Sequence, residues 1–179
     1  MKPSSRDPEG AVAMKSIDRR SLIGITGSLF LAIPTASLAQ TAPMAARQGW
    51  IVKSTAHGFA TLVGRLDESV KANKMGLVTV ASASDGAKAQ GFTIPGNRVV
   101  GVFRNDFARR MLAASIPAGI EAPIRFYITE NANGTSTLSY KTPGTVFAPY
   151  FDGAAADLKT LAAELDVIFA KIAEDATKP

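Results

Sequence analysis

Apolar and polar side chains alternate most clearly in the segment APIRFYITE. Ile124, Phe126 and Ile128 fall on one side of an extended chain, and Arg125 and Tyr127 fall on the other. This pattern predicts a β-strand with one face in the core. The turn sequence NANG and the segment TSTLSY come next, and they predict a hairpin with a returning strand.

A second pattern, with apolar residues every three or four positions, predicts two long helices, one over residues 154–174 and one within residues 57–76. The two apolar stripes consist of Leu158, Leu161, Leu165, Ile168, Phe169 and Ile172, and of Leu62, Val63, Leu66 and Val70. We expect Gly76 to end the earlier helix, and Asp67 to pair with Lys71 one turn later.

Shorter elements are predicted between these. Strands are expected in GWIVKSTA, LVTVASA and RVVGVF. A short helix is expected in SDGAKAQG, with Asp85 as its cap and Gly91 at its end. The segment RNDFARRMLAASIPAG predicts a helix capped by Asn105 or Asp106 and closed by Pro117. KTPGTVFAPYFDG is expected to be an irregular loop.

The order of elements is therefore β-α-β-(α)-β-α-β-β-α. Strands and helices mingle without strict βαβ alternation, which favours an α+β two-layer sandwich. Its sheet is expected to be mostly antiparallel, with the helices on one face. We assign residues 50–174 to this single domain and residues 40–49 to a flexible lead-in.

Residues 1–39 have the composition of an export signal. From Met14 onward the order is basic, apolar and then small residues, and the apolar run is too short to span a bilayer. We expect cleavage after Ala39 and regard residues 1–13 as an over-long start. The protein is then periplasmic or secreted, in a bacterial cell, with no membrane span in its mature form.

The paired Arg19 and Arg20, followed by an apolar run of mild hydrophobicity, resemble a twin-arginine export signal. Asp18 stands where such signals usually have Ser or Thr. The alternative is an ordinary secretory signal with two adjacent arginines.

The amino-acid composition limits the catalytic and metal-binding chemistry that the chain can carry. The chain of 179 residues has no Cys and one His, His57, which excludes thiol catalysis, disulfides and thiolate metal sites and disfavours a zinc or copper centre. We expect no cofactor, no metal and no catalytic residue, and we interpret His57 as a turn residue. Residues 40–179 carry 15 basic and 12 acidic residues, a balance that gives little support to nucleic-acid binding.

The order of several short motifs resembles the family called domain of unknown function 302, over roughly residues 50–173. The matching features are Ala87 with Gly91 before a strand, the turn at residues 103–106 after it, and the strand start at residues 122–125. The resemblance implies a small α+β domain that forms a homodimer, and no activity is established for the family.

This chain departs from the family pattern at two places. Many members have an Asp-His pair nine residues before the glycine, where this sequence has Ser82 and Ala83. The Gly-Asn-Pro turn of the family is replaced here by Arg104-Asn105-Asp106. If that histidine is reactive in relatives, this chain lacks the reaction.

Two groups of residues are candidate ligand contacts. Arg104, Asn105 and Arg109 could gather with Arg125 and Tyr127 around free helix amides and hold a carboxylate, phosphate or sulfate. The alternatives are that Asp106 caps the helix while the arginines are solvated, and that Arg125 and Tyr127 face solvent or a dimer partner.

The aromatic residues Phe147, Tyr150 and Phe151 could cover an apolar cleft between sheet and helix. Alternatively, they fill the end of the core or a dimer interface. The sequence thus favours a non-enzymatic domain that binds a small anionic or apolar ligand, or a protein. The alternative is an enzyme or redox-associated accessory factor that uses the arginine and asparagine cluster as an anion site.

Replacing Arg19→Lys together with Arg20→Lys should stop export and leave the precursor in the cytoplasm, because the twin-arginine route depends on both guanidinium groups. Cell fractionation measures this, and N-terminal sequencing of the exported wild type should start near Gln40. The control Lys15→Arg keeps the charge of the basic segment and leaves the arginine pair intact, so it should not change export. Normal export of the double variant would contradict the twin-arginine assignment.

Overall fold

The structure is a computed structural model, and it describes residues 44–179. The predicted signal peptide and the first residues of the lead-in lie outside this range. The strands are β1 (Trp50–Thr55), β2 (Gly76–Ala81), β3 (Asn97–Phe103), β4 (Ile124–Glu130) and β5 (Ser136–Lys141). The helices are α1 (Phe59–Ala72), α2 (Ala83–Ala89), α3 (Asn105–Ala114), α4 (Pro143–Phe147) and α5 (Asp157–Thr177), with 3₁₀ turns at Pro117–Glu121 and Ala148–Tyr150.

The five strands form one sheet in the order β1-β5-β4-β3-β2, and every neighbouring pair is antiparallel. The predicted hairpin between β4 and β5 is present. Gly134 takes a φ of +78° in its turn, a conformation that favours glycine. The predicted α+β fold with an antiparallel sheet is confirmed.

Strand alternation gives the sheet two different faces. Ile124, Phe126 and Ile128 are buried on the face covered by α1, α3 and α5, as the sequence predicts. Arg125 and Tyr127 point to the opposite face, which these three helices leave uncovered. We call this second surface the open face.

The core is centred on three aromatic rings. Phe169 of α5 stacks on Phe126 of β4 with 4.7 Å between ring centroids, and Tyr140 of β5 lies 5.0 Å from Phe126. Burial raises the pKa of Tyr140 to about 12. Because β4 and β5 are inner strands, this contact fastens the longest helix to the middle of the sheet.

The C-terminal end of α5 is held by side chains near the start of the fold. Arg65 on α1 donates hydrogen bonds to the carbonyls of Ala176, at 2.8 Å, and of Lys178, at 2.7 Å. Nε2 of His57 lies 2.6 Å from the same Lys178 carbonyl. These contacts satisfy carbonyls that a helix end leaves without partners, so His57 is engaged in the fold.

Three local predictions are wrong. Ser82, not Asp85, caps α2, since its hydroxyl accepts from the amide of Asp85. Gly76 is the first residue of β2, while Lys74 takes the left-handed conformation after α1 with a φ of 58°. Within residues 44–179, Asp67 makes no ion pair with Lys71.

The prediction of an irregular loop in KTPGTVFAPYFDG is wrong as well, because this segment forms α4 and a 3₁₀ turn. Thr142 caps α4 by accepting from the amide of Thr145, and Asp166 on α5 accepts from the amide of Gly144. The segment is therefore fixed to α5. No helix in residues 44–179 combines the length and apolar character needed to cross a membrane.

Phe169→Ala should lower the free energy of unfolding by about 3–5 kcal/mol, because it removes a fully buried ring from the centre of the core. Chemical denaturation measures the change. Val167→Ala is the matched control, since Val167 lies on the same helix and is 71% exposed, and its effect should stay within about 0.5 kcal/mol. Equal losses in both variants would show that the aromatic contact is not the main anchor of α5.

Candidate functional site

The open face of the sheet contains a cleft of about 520 Å³ that crosses the strands. Its floor and sides include Trp50, Val99, Arg125, Tyr127, Ser139 and Lys141. We call it the open-face cleft. Its volume lies within the range of small-molecule sites in proteins.

Strand register brings these residues together from distant parts of the sequence. Tyr127 on β4 lies opposite Val99 on β3 and opposite Ser139 on β5. Trp50 on β1 lies opposite Lys141, the last residue of β5. The open face is therefore a continuous row of aromatic, apolar and small polar side chains.

Two cations lie next to the indole ring of Trp50. The Lys141 ammonium is 5.6 Å from the ring centroid and the Arg47 guanidinium carbon is 5.7 Å from it. Both distances fit cation–π contacts. The β1 side of the cleft is consequently aromatic and positively charged.

Two parts of the cleft lining differ in chemistry. Glu121, just before β4, has a carboxylate that accepts a 2.8 Å hydrogen bond from the Tyr150 hydroxyl. This bond, together with burial, raises the pKa of Tyr150. At the β2 side the wall is apolar, formed by Ala81 and by Ala83 at the start of α2.

The lining offers few groups for covalent chemistry. Ser139 is 1% exposed, and its hydroxyl donates to the backbone carbonyl of Tyr127 at 3.4 Å. His57 does not line the cleft, because it contacts the end of α5. Residues 44–179 thus place no nucleophile next to a histidine base in the cleft, and they hold no cluster of three metal-ligating side chains.

The structure divides the predicted anion site. Arg125 and Tyr127 line the open-face cleft, whereas Arg104, Asn105 and Arg109 belong to the start and outer surface of α3. Helix α3 packs on the covered face, with Phe107 and Met111 in the core. The two halves therefore lie on opposite faces of the sheet and form no common pocket.

The start of α3 is occupied by its own ion pair. Asp106 accepts from Nε of Arg104 at 2.8 Å, and this contact lowers the pKa of the Asp106 carboxyl. The N-cap residue is Arg104, without a side-chain cap bond, so the predicted cap by Asn105 or Asp106 is wrong. The Arg104 guanidinium also lies 4.2 Å from the Phe107 ring centroid.

The two adjacent arginines of α3 have different roles. Arg110 donates to Asp157 at 2.9 Å and to Glu164 at 2.7 Å, which joins α3 to α5. Arg109 is exposed and makes no salt bridge among the residues that the structure describes. The helical rotation of about 100° per residue separates their environments.

The three candidate aromatic residues do not form one lid. Phe147 is 2% exposed and lines a small apolar cavity of about 30 Å³ beneath α3. Tyr150 bonds to Glu121, and Phe151 lies 5.6 Å from the Lys159 ammonium. Of the three, Phe147 is the one that fills the core, as the alternative interpretation of these aromatic residues expects.

Sequence reasoning missed Trp50, Val99 and Lys141 as cleft residues. Alternation within β1 does predict that Trp50 and Val52 share a face. It carries no information about which strand lies beside β1. That pairing joins residues about 90 positions apart in the chain, as Trp50 with Lys141 shows.

Fold and cleft together define a class: an antiparallel sheet with helices on one face and a ligand-sized cleft on the other. Residues 50–175 match the family described as domain of unknown function DUF302, and the chain belongs to this family. A crystal structure of an uncharacterized conserved DUF302 protein from Bacillus stearothermophilus is similar, with a TM-score of 0.63 and 19% identity. The match covers 74% of this chain and 100% of that one, and at this identity it shows the fold. No curated protein matches.

Arg110→Gln should weaken the dependence of the protein's stability on pH in the acidic range. Arg110 lowers the pKa values of Asp157 and Glu164 below their ordinary 3.8 and 4.5, so their contribution exists above those values and is lost as pH falls. The variant should unfold at a lower temperature than wild type at pH 7, and this difference should be smaller at pH 3, where the two carboxylates begin to be protonated. Thermal unfolding at both pH values measures this.

Arg109→Gln is the matched control, one residue away on the same helix. It should follow the wild-type pH dependence. The same loss at pH 7 in both variants would show that general charge, and not the bridge to α5, is responsible.

Proposed function

We propose that this chain is an exported, non-enzymatic binding domain that holds a small ligand in the open-face cleft. One observation carries the proposal: an uncovered sheet face presents a cleft of about 520 Å³ with an aromatic and apolar lining. The cleft offers surface and polarity for recognition, and it lacks a nucleophile with an adjacent base among the described residues.

The composition of the lining supports binding of a small molecule. Trp50, Tyr127 and Val99 supply apolar surface, while Arg125 and Ser139 supply a few polar groups. Small-molecule sites in proteins have this combination, in which apolar area gives affinity and sparse polar groups fix orientation. An apolar surface of this kind is unusual for a face that meets only solvent.

The departure from the family pattern supports recognition over catalysis. Ala83 occupies the position at which many members have histidine, and Ala83 lines the cleft. A methyl group there provides contact area and no proton transfer. The alternative of an enzyme or redox-associated factor depended on a joint arginine and asparagine site, and the structure separates those residues.

Export is the second part of the proposal. It is supported by the order of basic, apolar and small residues between Met14 and Ala39. A homodimer remains the expectation from the family resemblance. A second copy covering the open face would compete with a ligand, so the binding experiment also tests this.

Ala81→Trp should block the cleft, because Ala81 lies opposite Val99 on the open face and lines the wall at β2. The probe is N-phenyl-1-naphthylamine, a neutral aromatic dye that fluoresces in apolar sites. We expect at least a ten-fold loss of its affinity, equivalent to about 1.4 kcal/mol. Fluorescence titration of the protein of residues 40–179 measures the affinity.

Ala170→Trp is the control, since Ala170 is exposed on α5, on the covered side of the sheet. It should bind the dye like wild type. Absence of binding by wild type, or equal binding by both tryptophan variants, would overturn the proposed site. Light scattering at the same concentrations measures the mass of the protein in solution, and a dimer that does not bind the dye would indicate that a second copy covers the cleft.

A further inference from the structure

We infer that the ligand of the open-face cleft is a monoanionic aromatic acid, such as an aryl carboxylate or sulfonate, with its anionic group between Arg125 and Lys141. The inference rests on the proposed function and adds the chemical class of the ligand. It depends on three features of the cleft: two neighbouring cations without a salt bridge among residues 44–179, aromatic side chains beside them, and one carboxylate, Glu121, in the lining.

The two cations are neighbours across the sheet. Phe126 pairs with Tyr140 on the covered face, so Arg125 and Lys141 are the next residues along β4 and β5 and both point to the open face. Like charges on adjacent strands repel and reduce stability. An anion placed between them would replace this repulsion with two charge-assisted contacts.

Three other arginines in the described part of the chain are paired with carboxylates. Arg98 pairs with Asp85 at 2.9 Å, Arg104 pairs with Asp106, and Arg110 is held by two acidic side chains. Within residues 44–179 no salt bridge involves Arg125 or Lys141. Arg125 and Lys141 therefore bring positive charge to the cleft without a salt-bridge partner among residues 44–179.

An aromatic body fits the surface beside these cations. Trp50 lies opposite Lys141, and Tyr127 is the next open-face residue along β4 after Arg125. Val99 and Ala81 continue the apolar surface toward β2. A flat ring placed over Tyr127 and Val99 would keep its acidic substituent within reach of both cations.

Glu121 limits the charge of the ligand. Glu121 lines the cleft, and its carboxylate is held by the Tyr150 hydroxyl at 2.8 Å. A second anionic group directed to Glu121 would meet a like charge. Each further negative charge on the ligand would add to this repulsion, which favours a monoanion over a nucleotide or another polyanion.

Two dyes with the same ring system separate the charge from the apolar contact. 8-Anilinonaphthalene-1-sulfonate carries one sulfonate, and N-phenyl-1-naphthylamine lacks it. Wild type should bind the sulfonate dye at least ten-fold more tightly, a difference of about 1.4 kcal/mol. Affinity for the sulfonate dye should fall as salt concentration rises, whereas affinity for the neutral dye should not.

Arg125→Gln and Lys141→Gln should each lower affinity for the sulfonate dye about ten-fold and leave the neutral dye unchanged, because each removes one contact to the anion. The control is Arg109→Gln, which removes an exposed arginine on the opposite side of the sheet and should change neither affinity. Circular dichroism verifies that each variant is folded, so that the dyes report the native cleft.

Failure of this inference differs from failure of the proposed function. Equal affinity for the two dyes in wild type and in both glutamine variants would refute the anionic ligand and leave the cleft as a neutral apolar site. Binding of the sulfonate dye that Ala81→Trp does not weaken would refute both. An equal loss in Arg109→Gln would attribute the effect to net charge and would overturn the assignment to Arg125 and Lys141.

Discussion

The stacking of Phe169 on Phe126, with Tyr140 beside them, determines where the other elements lie. These rings join α5 to the two inner strands β4 and β5 at the centre of the sheet. Helix α5 then provides the surface on which α1 and α3 pack, and its C-terminal carbonyls bind the guanidinium of Arg65. The helix layer is therefore assembled around one helix and one aromatic contact.

A consequence of this one-sided assembly is that α1, α3 and α5 leave the other face of the sheet uncovered. Strand alternation forces every second residue of the inner strands onto that face, whatever its polarity. In this chain those residues are neither uniformly polar nor uniformly apolar: Tyr127 and Val99 lie beside Ser139, with Arg125 at the end of β4. Such a mixture is typical of a small-molecule site that is also exposed to water.

Local sequence pattern could predict the elements and the faces of single strands. The alternation in β4 places Phe126 in the core and Tyr127 outside it, and the apolar stripe of α5 predicts its buried side. Both predictions depend on residues within one element, where periodicity and packing coincide. The strand bounds and the hairpin follow from the same local signals.

The cleft as a whole could not be predicted in this way, because it also depends on which strands lie side by side, and β1 pairs with a strand about 90 positions later in the chain. Arg125 and Lys141 become neighbours only through the pairing of β4 with β5, and Trp50 joins them only through the pairing of β1 with β5. Conversely, Asn105 and Arg125 were grouped in the predicted anion site and lie on opposite faces of the sheet. Phe147 was expected in a loop, and its burial results from contacts with α5 that no local pattern encodes.

Ser82 and Ala83 stand where many members of the family have an Asp-His pair, and Ser82 has a structural role in this chain. Its hydroxyl accepts from the amide of Asp85 at 3.1 Å and donates to the carbonyl of Asn97 at 2.9 Å, so it caps α2 and ties it to β3. These bonds hold the next residue, Ala83, against the cleft. Where many relatives have an Asp-His pair, this chain has a structural cap followed by a methyl group. In this chain that edge is an apolar wall, and the cations of the cleft, Arg125 and Lys141, lie on the strands beside it, where they would attract an anion.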